Sequence, residues 1–95
     1  MKIEFDLEKS EKNVKERGLP FELVSDFDWE TATYYVDDRK EYGELRVAAF
    51  GYIGERLYGL CFTPRKHGIV RVISLRKANL REVKRYEEES QKTDY

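Results

Sequence analysis

An α+β domain is predicted, with two N-terminal helices, a twisted antiparallel β-sheet in meander order and a C-terminal helix. Three features point to it. A helical stretch with both ends marked lies near the N-terminus, β-branched and aromatic runs joined by short turns fill the middle, and a capping box opens a last helical stretch. With 95 residues, 40% of them apolar and 14% aromatic, the chain has the size of one domain and the rings to build one core, so 1–95 is read as a single domain.

Lys2 to Phe5 alternates enough for a short strand. Asp6 is a suitable N-cap for LEKSEKNVKER, which stops at Gly18 with Pro20 two residues on. Pro20 suits the first position of a second, shorter helix, where Phe21, Val24 and Phe27 recur at spacing three. WETATYYVD reads as a strand or extended segment, followed by a polar loop containing Gly43. The runs LRVAAFGYI and RLYGLCFT are joined by Gly54-Glu55, a hairpin-like connection, and Pro64 closes the second run. RKHG supplies a turn into IVRVISLR. Strict alternation there sends Ile69, Arg71, Ile73 and Leu75 to one face and Val70, Val72, Ser74 and Arg76 to the other. Asn79 and Glu82 have the form of a capping box, opening a helix on which Leu80, Val83 and Tyr86 or Glu87 share a side. The acidic tail, 87–95, is expected to fray. The helices are expected to cover one sheet face and leave the other open.

Charge is sorted along the chain although the formal net is −1. Met1 to Glu44 holds 7 basic and 13 acidic residues, Leu45 to Tyr86 holds 10 and 2, and Glu87 to Tyr95 holds 1 and 4. A block of +8 spread over strands and a helix is the signature of a polyanion-binding surface, and nucleic acid is the first partner to consider. The single cysteine, Cys61, permits no internal disulfide, the N-terminus has no apolar signal-peptide core, and no apolar run spans a bilayer. A cytoplasmic protein with no membrane association is expected. One histidine and one cysteine do not make a zinc site, and there is no glycine-rich phosphate loop, so neither metal nor cofactor is expected.

Read in order, Phe5-Asp6, Lys12-Asn13, Arg17-Gly18-Leu19-Pro20-Phe21-Glu22, Phe27-Asp28, Asp38-Arg39, Tyr42-Gly43-Glu44, Arg46, Gly51, Arg56-Leu57, Thr63, Arg65, the segment Arg71 to Ala78 (RVISLRKA), Glu82 and Tyr86 resemble the BrnT toxin family over nearly the whole chain. The resemblance implies a small RelE-like ribonuclease, the toxin of a type II toxin-antitoxin pair, that inhibits translation by cutting RNA. It also implies a BrnA-type antitoxin, a ribbon-helix-helix DNA-binding protein through which alone operator DNA is reached. Phe5 stands where the family has tryptophan, and Arg17 where it has histidine, so Arg17 is given no catalytic role.

Cutting RNA without a metal requires an activated 2′-hydroxyl, stabilisation of the phosphorane's added charge, and a proton for the departing 5′-oxygen. Arg65, Arg71 and Arg76 offer planar, permanently charged donors for the second task. His67 is a candidate because histidine is the residue type suited to both acid and base roles near neutrality, yet it sits in a turn where a solvated residue is the plainer reading. Glu44, Tyr86, Lys66, Tyr42, Tyr58 and Asp38 are further acid-base candidates, with Tyr86 also at core spacing from Val83. Arg46, Arg56, Lys66, Lys77 and Arg81 are candidate RNA-binding residues, and Tyr52, Tyr58 and Phe62 are either base platforms or core. A non-catalytic RNA- or DNA-binding module, and a protein-binding partner with a basic docking face, remain the alternatives.

Overall fold

The computed structural model describes residues 2–92. The elements are β1 (Lys2–Glu4), α1 (Leu7–Arg17), a 3₁₀ helix (Phe21–Asp26), β2 (Thr33–Val36), β3 (Val47–Ile53), β4 (Arg56–Pro64), a short 3₁₀ turn (Lys66–Gly68), β5 (Ile69–Lys77) and α2 (Leu80–Lys92). The strands form one sheet in the order β1-β5-β4-β3-β2.

The meander of β2 to β5 is antiparallel as expected, but β1 joins the edge parallel to β5, so the sheet is mixed. Local pattern carries no trace of that pairing, because the partners Ile3 and Val70 lie far apart in the chain. The second N-terminal helix is a 3₁₀ helix, not an α-helix. Its apolar residues recur every three positions, which is the 3₁₀ period, and Phe21, Val24 and Phe27 are all buried. Helix α2 continues to Lys92, and Glu89 on it accepts a hydrogen bond from the Tyr35 hydroxyl. Residues 93–95 of the acidic tail lie outside the described residues.

Each end of α1 is closed as the sequence indicates. Asp6 accepts from the Glu8 amide at 2.8 Å, and Gly18 takes the left-handed conformation at φ 71°. Its buried residues are polar, Ser10 and Asn13. The Ser10 hydroxyl accepts from the Phe21 amide at 3.0 Å, and the Asn13 amide donates to the Leu19 and Leu75 carbonyls at 2.7 and 2.9 Å. The last of these bonds engages β5 beyond the end of β1, so α1 is fastened to the sheet edge by hydrogen bonds rather than an apolar stripe.

The helices lie on both faces. The 3₁₀ helix and its flanks bury Leu19, Phe21, Val24 and Phe27 against Ala49, Leu60, Phe62, Val70, Val72 and Leu75 on one face, the core face. On the other, α2 packs Val83 and Tyr86 against Phe50, Leu57, Tyr35 and Tyr52. Leu80 does not share that contact and is 88% exposed.

A bulge in β5 settles where its basic side chains go. Phe62 pairs with Val72 but Cys61 pairs with Ser74, so Ile73 is the extra residue. Strict alternation therefore fails after Val72. Val70, Val72 and Leu75 all enter the core, while Arg71, Ser74 and Arg76, opposite Thr63, Cys61 and Gly59, share the α2 face.

Candidate nucleic-acid interface

Only part of the α2 face is covered. Beside the helix, the small residues Ala48, Gly59, Cys61 and Ser74 floor a recess of about 340 Å³, walled by Tyr35, Phe50, Arg76 and Arg85 and rimmed opposite by Asp37, Asp38 and Arg39. The floor is level because β3, β4 and β5 each present a short side chain there, with the Ile73 bulge bringing Ser74 into line. Arg71 stands further along the same face, and Arg46 lies within electrostatic reach of the Cys61 thiol.

Most of these arginines are held by a carboxylate. Arg39 pairs with Asp37 at 2.9 Å, Arg46 with Glu44 at 3.4 Å, Arg71 with Glu4 at 2.9 Å and Arg76 with Glu82 at 2.7 Å. Arg85 instead lies over the rings of Tyr35 and Phe50, at 4.6 and 5.2 Å from their centroids. The Arg46 guanidinium covers the Tyr42 ring at 3.9 Å. The Arg39 guanidinium holds the Asp37 carboxyl at about 2, and Arg76 draws the Glu82 carboxyl below its ordinary value. Both carboxylates are ionised at neutral pH and are poor proton acceptors there. Burial pushes the Cys61 thiol up, so it stays protonated at neutrality and is no thiolate nucleophile.

The sequence candidates separate. Arg76 lines the recess; Arg71 lies further along that face, and Arg46 pairs with Glu44. Arg65, Lys66 and His67 are exposed in the β4–β5 turn, with His67 in the left-handed region at φ 63°, and none of the three lines the recess. Tyr86 is buried beneath α2, its ring edge-on to Tyr52 and its hydroxyl donating to the Thr31 carbonyl at 2.8 Å. Arg56 is exposed beside Asn79 and Leu80 in a different groove, Lys77 is exposed opposite Tyr58, and Arg81 is exposed on the first turn of α2. Phe62 and Tyr58 belong to the core face, and Tyr52 packs under α2.

Sequence reasoning missed Arg39, Arg85, Asp37, Tyr35 and Ser74. A signal existed for Arg85, which follows Glu82 by three positions and so lies on the same side of the helix. Arg39 sits in a polar loop with no periodicity to read. Among the described residues, no three histidine, cysteine, aspartate or glutamate side chains converge as metal ligands would, and no helix is long and apolar enough to cross a membrane.

Residues 5–82 match the family model described as the ribonuclease toxin BrnT of a type II toxin-antitoxin system. A crystal structure of the Brucella abortus ribonuclease toxin BrnT superposes with a TM-score of 0.62 at 28% identity, covering 83% of this chain and 97% of that one. No functionally curated protein matches.

Proposed function

This chain belongs to the BrnT family of ribonuclease toxins of type II toxin-antitoxin systems, and from that premise we propose that it cuts single-stranded RNA, without a metal, on the open half of its α2 face. The 2′-oxygen attacks the adjacent phosphorus while the bond to the 5′-oxygen breaks. The products are a 2′,3′-cyclic phosphate and a free 5′-hydroxyl, the proton lost by the 2′-oxygen being matched by one delivered to the leaving oxygen. Arg76, Arg39 and Arg85 spread the phosphorane's added charge over planar donors.

The observation that carries this reading is the convergence of Arg39, Arg76 and Arg85 around one recess whose 340 Å³ accepts about a single nucleotide. Ion pairs and ring contacts already fix all three, so little ordering cost falls on substrate binding. A RelE-like toxin of this kind stops translation in the cytoplasm and is neutralised by a BrnA-type ribbon-helix-helix antitoxin, through which alone it reaches operator DNA.

The test is cleavage of a short single-stranded RNA in EDTA. The wild type should give cyclic-phosphate ends, and Arg76→Ala should slow cleavage roughly 10²- to 10³-fold, the usual cost of deleting one transition-state donor. Cleavage that depends on added metal would refute the metal-free mechanism. Salt-sensitive retention of intact RNA would favour a binding module, and no RNA affinity a protein-docking face.

A further inference from the structure

Arg76 is fixed more tightly than a phosphate-binding arginine requires. Its Nη1 and Nη2 donate to Glu82 Oε1 and Oε2, each at 2.7 Å, in an end-on bidentate pair, and Nη1 also reaches the Lys77 carbonyl at 3.4 Å. Glu82 is immobilised in turn. Its Oε1 accepts from the Asn79 amide at 3.0 Å while its own amide donates to Asn79 Oδ1 at 2.9 Å, so the capping box of α2 and the grip on Arg76 use one carboxylate. From below, the guanidinium comes close to β4 at Gly59. A Cβ placed on Gly59 would stand 3.3 Å from Arg76 Cζ and 3.2 Å from Phe50 Cε1, closer than ordinary contact.

An arginine has a second bidentate edge, made by Nε and the outer proton of Nη2. Among the described hydrogen bonds, neither of those protons has an acceptor. We infer that Glu82 and Gly59 are positioning residues, which hold Arg76 so that this second edge is presented to an RNA phosphate while the first stays on Glu82. The inference rests on the proposal that Arg76 contacts phosphate. Glu82 orients the donor and is not displaced by substrate.

Glu82→Gln separates positioning from simple charge. Glutamine keeps the capping box but cannot accept from both terminal nitrogens. Removing a negative charge beside bound RNA should, on electrostatics alone, tighten binding and leave turnover unchanged or faster. Positioning predicts the opposite for the chemical step, a kcat roughly 10- to 100-fold lower with KM changed less than about threefold. Gly59→Ala, which acts from the other side of the guanidinium, should do the same. Neither change should add to Arg76→Ala, and circular dichroism with the Tm identifies any variant that has merely unfolded.

A folded Glu82→Gln enzyme with undiminished kcat, or losses that multiply with that of Arg76→Ala, overturns the inference. A wild type that binds RNA without cutting it refutes the ribonuclease reading instead. Positioning is then read from affinity. Arg76→Ala and Gly59→Ala should each shallow the salt dependence by about one phosphate contact, and an unchanged slope in Gly59→Ala refutes it.

Discussion

Arg85 and His67 show how differently two plausible residues behave once folded. The Arg85 guanidinium stands over the Tyr35 and Phe50 rings at the wall of the recess, and lysine's tetrahedral ammonium does not reproduce its planar fork of donors. Arg85→Ala should slow RNA cleavage roughly 10²-fold, and Arg85→Lys should recover little of it, as single-turnover rates will show. His67 is the residue a sequence reader reaches for first, because imidazole titrates near neutrality. It occupies an exposed turn in the left-handed region, where a side chain costs about 1–2 kcal/mol and glycine nothing. His67→Gly is expected to cut RNA within about threefold of wild type and to be more stable, the gain reduced by glycine's freer unfolded state. A hundredfold loss of activity would place a proton-transfer group in that turn. Sequence marked Arg76, through the RVISLRKA segment. It did not single out Arg85, because helical spacing alone does not say which flank of the stripe overhangs the sheet.

At the level of elements, the informative departures come from hydrogen bonds and register, neither of which leaves an apolar pattern. Alternation along IVRVISLR put Arg71 and Arg76 on opposite faces; one inserted residue, Ile73, brings them together while keeping Leu75 in the core. The meander and both α-helices were readable because hairpin glycines, the capping residues Asp6 and Asn79 and the stop at Gly18 act within a few residues of one another. The parallel docking of β1 was not, since it depends on packing between the two ends of the chain. The attachment of α1 belongs to the same class. Asn13 is 5% exposed and its amide satisfies two carbonyls, one on the loop after α1 and one on the edge of β5. Asn13→Ala should therefore cost about 2–3 kcal/mol, by leaving buried acceptors without donors. That corresponds to a Tm lower by roughly 10 °C or more in a domain of this size, measurable by thermal melting. Asn13→Asp, which keeps the shape but not the donors, should be at least as damaging.

Across the whole molecule, charge that is segregated in sequence becomes interleaved in space. Glu4 from the acidic half reaches Arg71, and the lone acidic residue of the last helix's first turn, Glu82, holds Arg76. Three carboxylates make stability acid-sensitive with a definite sign. Asp37, Glu82 and Asp28 have carboxyls drawn below their ordinary values of 3.8 and 4.5, Asp37 to about 2. The unfolded chain therefore binds protons first as pH falls. Their contribution is complete above about pH 4.5 and is lost progressively toward about 2, which urea midpoints across that range will follow. Glu82→Gln should flatten part of the decline.

The same interleaving limits how many charges can meet RNA at once. Ten basic residues lie between Leu45 and Tyr86, and if every one neutralised a phosphate on a single strand the logarithm of the affinity would fall with the logarithm of salt at a slope of about −7. The fold does not allow it. Arg56, Lys77, Arg81 and Lys84 do not line the recess, and neither do Arg65 and Lys66 in the β4–β5 turn. Arg39, Arg76 and Arg85, joined by Arg46 and Arg71 along the face, leave three to five contacts, for a slope of roughly −2 to −3.5. Filter binding of a short single strand from low to physiological salt will distinguish the two. A slope near −7 would mean that RNA wraps the molecule and that the basic block, not the recess, is the binding unit. The shallower slope, abolished in part by Arg85→Ala and untouched by Arg56→Ala, would confine substrate to the open half of the α2 face.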